Sequence, residues 1–260
     1  MNLDRIISEE INFDSLKDTA RFKALQEKES GGWLHVIPSN NIGTAMNDQV
    51  FQVCVSLRLD IRYYTQHKCI CGSLIDERGT HGLSCPNAKG TFSRHVEINH
   101  IIHRELTSVR ISSKLEPEGL FRDDGKRPDG VTLAPWSKGK RLVWDVTCSD
   151  TLAPSYLSAS LRKAGSVAEL ACNRKHEKYT RIKASNFLFV GLAFETLIPW
   201  CNETKTFLDT VGKKLIKESG DIRARCFLYN RISMAIQQGN AASIHGTQPI
   251  SAKLDEIYNL

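Results

Sequence analysis

The chain has 260 residues, 41% hydrophobic and 25% charged, with a formal net charge of +6. That is the composition of an ordinary globular protein, with length for one large domain or two small ones. It excludes repeat and low-complexity architectures, and no apolar run, Phe187 to Phe194 included, is long enough to span a bilayer as a helix. The N-terminus lacks a secretory h-region, so a nuclear or cytoplasmic protein with reduced thiols and no membrane partner is expected.

The charge is uneven. Residues 1–60 hold six Lys/Arg against nine Asp/Glu, whereas residues 61–260 hold 29 against 20. A basic second part suits a polyanionic partner, although many basic domains bind nothing acidic.

In chain order, residues 3–30 read as a surface helix ending near Ser30-Gly31-Gly32. Trp33–Pro38 and Val50–Leu59 follow as apolar segments. Between His67 and Gly90 the pattern breaks into Gly, Cys, His and Asp, with too few apolar residues for a core. Helical period returns over Arg94–Val109, where Val96, Ile98, Ile101, Ile102 and Leu106 form one stripe. Three extended segments come next, Ile111–Glu116, Pro128–Leu133 and Arg141–Cys148, separated by turn residues including Asp123-Asp124-Gly125. Leu161–Lys183 reads as one long helix and Phe187–Glu195 as a buried strand. Helices over Lys205–Lys217 and Asp221–Gln238 are expected to stop at Gly220 and Gly239, with a loose tail past Asn240. The order helix, three strands, helix, strand (α-β-β-β-α-β) predicts a mixed α/β core. The expected division is residues 1–65 as an N-terminal helical or linker region, 66–90 as a small knuckle, 91–200 as the core, and 201–260 as C-terminal helices and tail.

Cys69, Cys71, His81 and Cys85 form a C-x-C-x9-H-x3-C pattern in the apolar-poor segment. Four N/S donors in two close pairs suit structural Zn²⁺, and binding energy of roughly 10–16 kcal/mol would order such a loop. The bland alternative is four unrelated reduced residues, with His67 and His95 equally near. Cys54, Cys148, Cys172 and Cys201 sit in apolar patterns and read as small core residues.

Phosphodiester hydrolysis uses divalent cations held by carboxylates on a rigid scaffold. Two neighbouring strands offer one each: Asp129 in Arg127-Pro128-Asp129-Gly130, and Asp145 inside the apolar run Leu142–Thr147. A buried Asp145 needs compensation, either from Mg²⁺ (or Mn²⁺) or from a salt bridge to Arg127, Arg141 or a lysine of the next helix. On that helix Ala164, Ala168, Ala171, Lys175, Lys178 and Ile182 share one stripe, so the two lysines either snorkel or point at the aspartates. Glu116, ahead of Glu118, is a candidate third carboxylate, and exposure at a strand end is its ordinary alternative. Asp150 reads as an N-cap or surface residue.

Taken together, Glu116-Pro117-Glu118-Gly119-Leu120, Gly125-Lys126-Arg127-Pro128-Asp129-Gly130, Val143-Trp144-Asp145-Val146-Thr147 and Lys175-x-x-Lys178-Tyr179 resemble the restriction-enzyme-like endonuclease domain of site-specific non-long-terminal-repeat retrotransposons. The Cys69/Cys71/His81/Cys85 knuckle matches in kind. The stretch Ser30–Leu34 with Leu57-Arg58-Leu59 resembles the connection that follows a reverse-transcriptase domain. The resemblance covers about residues 30–245. It implies a restriction-endonuclease-like core, a metal-dependent DNA endonuclease that nicks its target, and Asp129 and Asp145 as Mg²⁺ ligands. It implies catalytic roles for Lys175, Lys178 and Glu116, and candidate DNA contacts at Arg127 and Tyr179. Implied partners are DNA and a reverse-transcriptase domain and RNA of the same element. In the wider PD-(D/E)xK superfamily a lysine stands two residues after the second acid; here that residue is Thr147, so the resemblance implies a lysine moved to the helix. No Y-x-D-D polymerase motif occurs. Two other readings are a catalytically decayed nucleic-acid-binding module of the same fold, and a zinc-stabilised interaction protein.

Overall fold

The computed structural model describes residues 15–120 and 127–248. The expected turn at Asp123-Asp124-Gly125 and the Gly125-Lys126 pair lie outside them. Helix α1 (Leu16–Leu25) opens at Ser15, whose hydroxyl accepts the Asp18 N–H at 3.1 Å. A 3₁₀ helix, Lys28–His35, then carries the chain through Ser30-Gly31-Gly32. The expected surface helix therefore ends at Leu25, before Ser30, and is partly sunk; residues 3–14 of that expectation lie outside the described residues. Ala20, Ala24 and Arg21 are buried, the alanines in a cluster with Leu152 and Leu197.

Helix α2 (Asp48–Leu59) accounts for the second apolar segment. Strands β1 (His67–Lys68) and β2 (Leu74–Ile75) form a small antiparallel hairpin, followed by a 3₁₀ turn at Thr80–Leu83. Helix α3 (Lys89–Ser108) buries Ile98, Ile101, Ile102 and Leu106 along the stripe its period demands.

The main sheet contains β3 (Ser113–Leu115), β4 (Gly130–Thr132), β5 (Arg141–Ser149) and β6 (Phe187–Glu195), in that order. The first three are antiparallel and β5 pairs with β6 in parallel. A parallel neighbour requires a crossover. Three helices supply it: α4 (Leu157–Arg162), α5 (Ser166–Lys178) and α6 (Thr180–Ala184). The single rod expected over Leu161–Lys183 is thus broken. Gly165, at φ +78°, turns the chain, and the Glu195 carboxylate at the end of β6 accepts the Val167 and Ala168 N–H groups, each at 3.1 Å. A residue distant in sequence therefore sets where α5 begins.

Along β5 the side chains alternate. Leu142, Trp144 and Val146 enter the large core, while Val143 joins Val131, Tyr179, Ile182 and Phe189 on the opposite face. Asp145 takes the Val143 side, under α5.

Helix α7 (Asn202–Ser219) ends as expected at Gly220, in the left-handed conformation at φ +72°. Helix α8 (Ala224–His245) does not end at Gly239 but runs through it. Any Cβ there would come within 2.4 Å of the Arg94 Cβ, so this glycine permits helix contact and does not terminate. Asn240 is fully buried, and the chain as far as Thr247 is packed, so the expected loose tail does not begin at Asn240. The four sequence segments share one core: Trp33, Val53, Leu83, Ile102, Trp144, Leu208 and Ile236 belong to the same buried cluster. Among the described residues no helix is long and apolar enough to cross a membrane.

Gly130, paired with Trp144 across β4 and β5, illustrates how tightly this core is built. A Cβ on Gly130 would sit 2.0 Å from the Trp144 ring. Gly130→Ala is expected to lower unfolding free energy by about 1–3 kcal/mol through overpacking, measured by denaturant titration. An unchanged midpoint would mean the ring has somewhere to go.

Candidate functional site

Asp129 stands just before the short strand β4 and continues its ladder with both backbone and side chain. The Asp129 N–H donates to the Trp144 carbonyl at 3.1 Å, and Asp129 Oδ2 accepts the Val146 N–H at 2.5 Å. This register sets Asp129 opposite Asp145. Asp129 Oδ2 also accepts from His95 Nε2 on α3, at 2.9 Å.

Asp145 is 2% exposed. Its Oδ1 accepts the Tyr179 hydroxyl at 3.2 Å. Its Oδ2 meets two ammonium groups, Lys175 in direct contact and Lys178 at 3.7 Å. The approach of α5 depends on Gly191, the β6 residue paired with Asp145. A Cβ there would lie 3.3 Å from Lys175 Cβ and 3.2 Å from Cys172 Sγ. A methyl there would already require these neighbours to give by a few tenths of an ångström, and a larger side chain would press further on the helix that carries both lysines.

The electrostatics separate the two carboxylates. Burial pushes Asp145 above the usual carboxylate range, the Asp129 charge adds to this, and Lys175 and Lys178 oppose it. Burial also acts upward on Asp129, but the His95 hydrogen bond and charge and the Val146 N–H hold it below its ordinary value. The Asp129 hydrogen bond in turn raises His95, against its own burial.

Asp129, Asp145, Lys175 and Lys178 therefore converge as their motif spacing suggested. Glu116 does not join them. At φ +44° it ends β3 with an exposed carboxylate that pairs with Arg127 at 2.6 Å, and Glu118 lies 3.9 Å from the same guanidinium. Tyr179, expected as a DNA contact, is 2% exposed; its hydroxyl reaches Asp145 and, at 3.3 Å, the Arg127 carbonyl. Its role in the fold is to hold the acid, while Arg127 stays exposed. Asp150 is not a surface residue: it is 6% exposed, closes a turn onto the Leu152 N–H, and is raised by burial. Cys148, expected in the core, is half-buried.

His95 was not singled out for this site by sequence. Its only local signal is the His95/Asn99 spacing, which puts both on one face of α3; Asn99 Oδ1 accepts the Trp144 indole N–H at 3.0 Å. Its acid partner stands 34 residues away, out of reach of any pattern.

A cleft of about 520 Å³ opens beside this cluster, with Arg94, His95, Thr147, Ser149, Tyr156 and Lys175 among its lining residues. Lys175 thus enters the cleft that Thr147 lines, from the helix and not from the strand. Leu83 to Pro86, part of the cysteine knuckle, also line it.

In the knuckle, Cys69 and Cys71 flank the β1–β2 turn, where the Gly72 N–H donates to the Cys69 carbonyl at 2.8 Å. His81 comes from the 3₁₀ turn, and Cys85 precedes α3. Cys69 Sγ and Cys85 Sγ are 3.6 Å apart, Cys71 Sγ and His81 Nε2 3.2 Å, and all four donors lie within 4.8 Å of one another. Hydrogen bonding with Ser73 holds the Cys71 thiol down at about 6, whereas burial pushes Cys85 up to about 11. The cluster can hold a metal such as Zn²⁺, the ion that three thiolates and an imidazole favour.

No protein-family model matches this chain, and no curated protein matches it.

The His95–Asp129 pair makes a signed pH prediction. Asp129 lies below its ordinary 3.8, so its contribution is present above that value and is lost as pH falls through the folded pKa. His95 lies above its ordinary 6.5, so its contribution is present below that value and is lost as pH rises through the folded pKa. The stability difference between wild type and His95→Asn should therefore peak between 3.8 and 6.5 and shrink on either side. A difference independent of pH from 4 to 9 would show that the pair does not titrate with folding.

Proposed function

We propose that this protein is a divalent-metal-dependent DNA endonuclease with a restriction-enzyme-like core, of retrotransposon derivation, acting on nuclear DNA. One observation carries the reading: two neighbouring chain segments bring Asp129 and Asp145 side by side, and the crossover helix brings Lys175 to the same point at the edge of an open cleft. An ordinary structural ion pair needs one cation for one acid and no cleft.

Asp129 and Asp145 would hold Mg²⁺ or Mn²⁺, which when bound polarises a phosphate oxygen and activates water. The donor set is suitable, two carboxylates of which one is fully buried. Lys175 lies in the cleft wall and, on releasing Asp145 Oδ2, can place its ammonium against negative charge developing on a phosphate. Lys178, over the Tyr179 ring at 4.6 Å, remains near enough to oppose the upward shift of Asp145. His95 fixes the orientation of Asp129 and presents an imidazole to the cleft. The knuckle wall and exposed Arg127 suit phosphate contacts that position the duplex without reading its sequence.

One observation favours the decayed-module reading. The acids are already balanced by the chain's own cations, Asp145 by two lysines and Asp129 by His95.

The two readings part in a supercoiled-plasmid assay with Mg²⁺ or Mn²⁺. Wild type is expected to nick, Asp145→Asn to fall to background, and Lys175→Met to lose about 10²–10³-fold in rate while DNA affinity changes little. Wild type that binds DNA but never nicks would establish the module instead. Binding itself should weaken with salt, log K falling by about 0.9 per phosphate contacted per log unit. A flat salt response would remove DNA as the partner under either reading.

A further inference from the structure

On a neighbouring face of α5 stands a second set of metal-ligating side chains that the nuclease reading does not use. Cys172 and His176 are one helical turn apart, and Glu203 comes from the first turn of α7. One donor atom from each lies within 4.8 Å of the others. Glu203 Oε2 is the focus: Cys172 Sγ is 3.0 Å away, His176 Nε2 2.6 Å, and the Gly191 N–H donates to it at 3.0 Å.

A simple His176–Glu203 ion pair accounts poorly for this arrangement. It does not explain why the Cys172 Sγ converges on the same carboxylate oxygen, 3.0 Å from Glu203 Oε2. The edge of His176 rests on Phe189, with centroids 5.2 Å apart at 87°, so its ring is held in place by packing. Thiolate, imidazole and carboxylate together make a zinc-type donor set, with a fourth position for water. In a tetrahedron of ordinary zinc bond lengths such donors stand about 3.3–3.7 Å apart. The present 2.6 and 3.0 Å separations need to open by roughly an ångström or less. Cys172 is buried, but His176 and Glu203 are partly exposed, so an ion has a route in.

We propose that Cys172, His176 and Glu203 form a second metal site for a zinc-type divalent ion, tying α5 to α7 across β6. Lys175 lies between two of the ligands in sequence, so filling this site fixes the helix that delivers the lysines to Asp145. The proposal rests on the donor set alone and stands or falls separately from nuclease activity.

The test counts metal on the full chain. Protein saturated with Zn²⁺ and freed of excess should carry two ions by elemental analysis, one in the knuckle and one here. His176→Gln should lose one ion while keeping its circular dichroism. Cys69→Ser should lose the knuckle ion and keep the other. Glu203→Gln, nearly isosteric, provides a second probe should His176→Gln fail to fold. Co²⁺ titration of wild type should then reach its end point at two equivalents, the site at α5 adding a single-thiolate charge-transfer band. A wild-type end point of one equivalent that the Cys69→Ser variant abolishes would overturn the proposal. So would a folded His176→Gln or Glu203→Gln variant with the wild-type count.

Discussion

The architecture of the centre depends on one contact: the docking of α5 over Gly191, which places Lys175 against the buried Asp145 carboxylate. A buried carboxylate without a partner is costly, and truncating one member of such a pair typically costs about 3–5 kcal/mol. Asp145 lies in the middle of β5 with apolar neighbours on both sides in the chain, so the sheet tolerates it only because the crossover helix returns with cations. That return requires the parallel β5–β6 pairing, the turn at Gly165 and the Glu195 carboxylate that receives the first N–H groups of α5.

The same constraint links the centre to the rest of the molecule. Arg94, buried at the start of α3, donates to Asn240 on α8 at 2.5 Å, and the Asn240 amide donates to the Thr196 carbonyl just past β6 at 2.7 Å. Helix α3, which carries His95 to Asp129, is thereby registered against both the last helix and the sheet. The knuckle shares this support: Gly82 packs so closely on Ile244 that a Cβ would come within 2.7 Å of its Cα. A metal in the knuckle would therefore stiffen the part of the cleft that Leu83 to Pro86 line.

The elements were largely legible in the sequence. The α3 stripe, the three strands in order, the β6 run and the stop at Gly220 depend on side chains within a few residues, and local periodicity and turn chemistry report those. The errors share one cause. Gly165 divided a helix that an unbroken stripe implied, and Gly239 failed to end one, because in each case a distant neighbour, Glu195 or Arg94, decided the outcome. Burial likewise reversed the expectation for Tyr179, a surface contact by motif and a buried partner of Asp145 by packing.

By itself, the sequence determined that the chain is a mixed α/β protein, that Asp129 and Asp145 belong to successive extended segments, and that Lys175 and Lys178 share a helix stripe. These follow from the periods of strand and helix, which are set by backbone geometry and need no knowledge of the fold. Only the tertiary structure decided that His95 completes the carboxylate cluster, that Glu116 turns away to Arg127, and that Cys172, His176 and Glu203 meet around one carboxylate oxygen. Each is a contact between elements, and close approach, such as that of α5 to the sheet at Gly191, is a property of packing that no local pattern records.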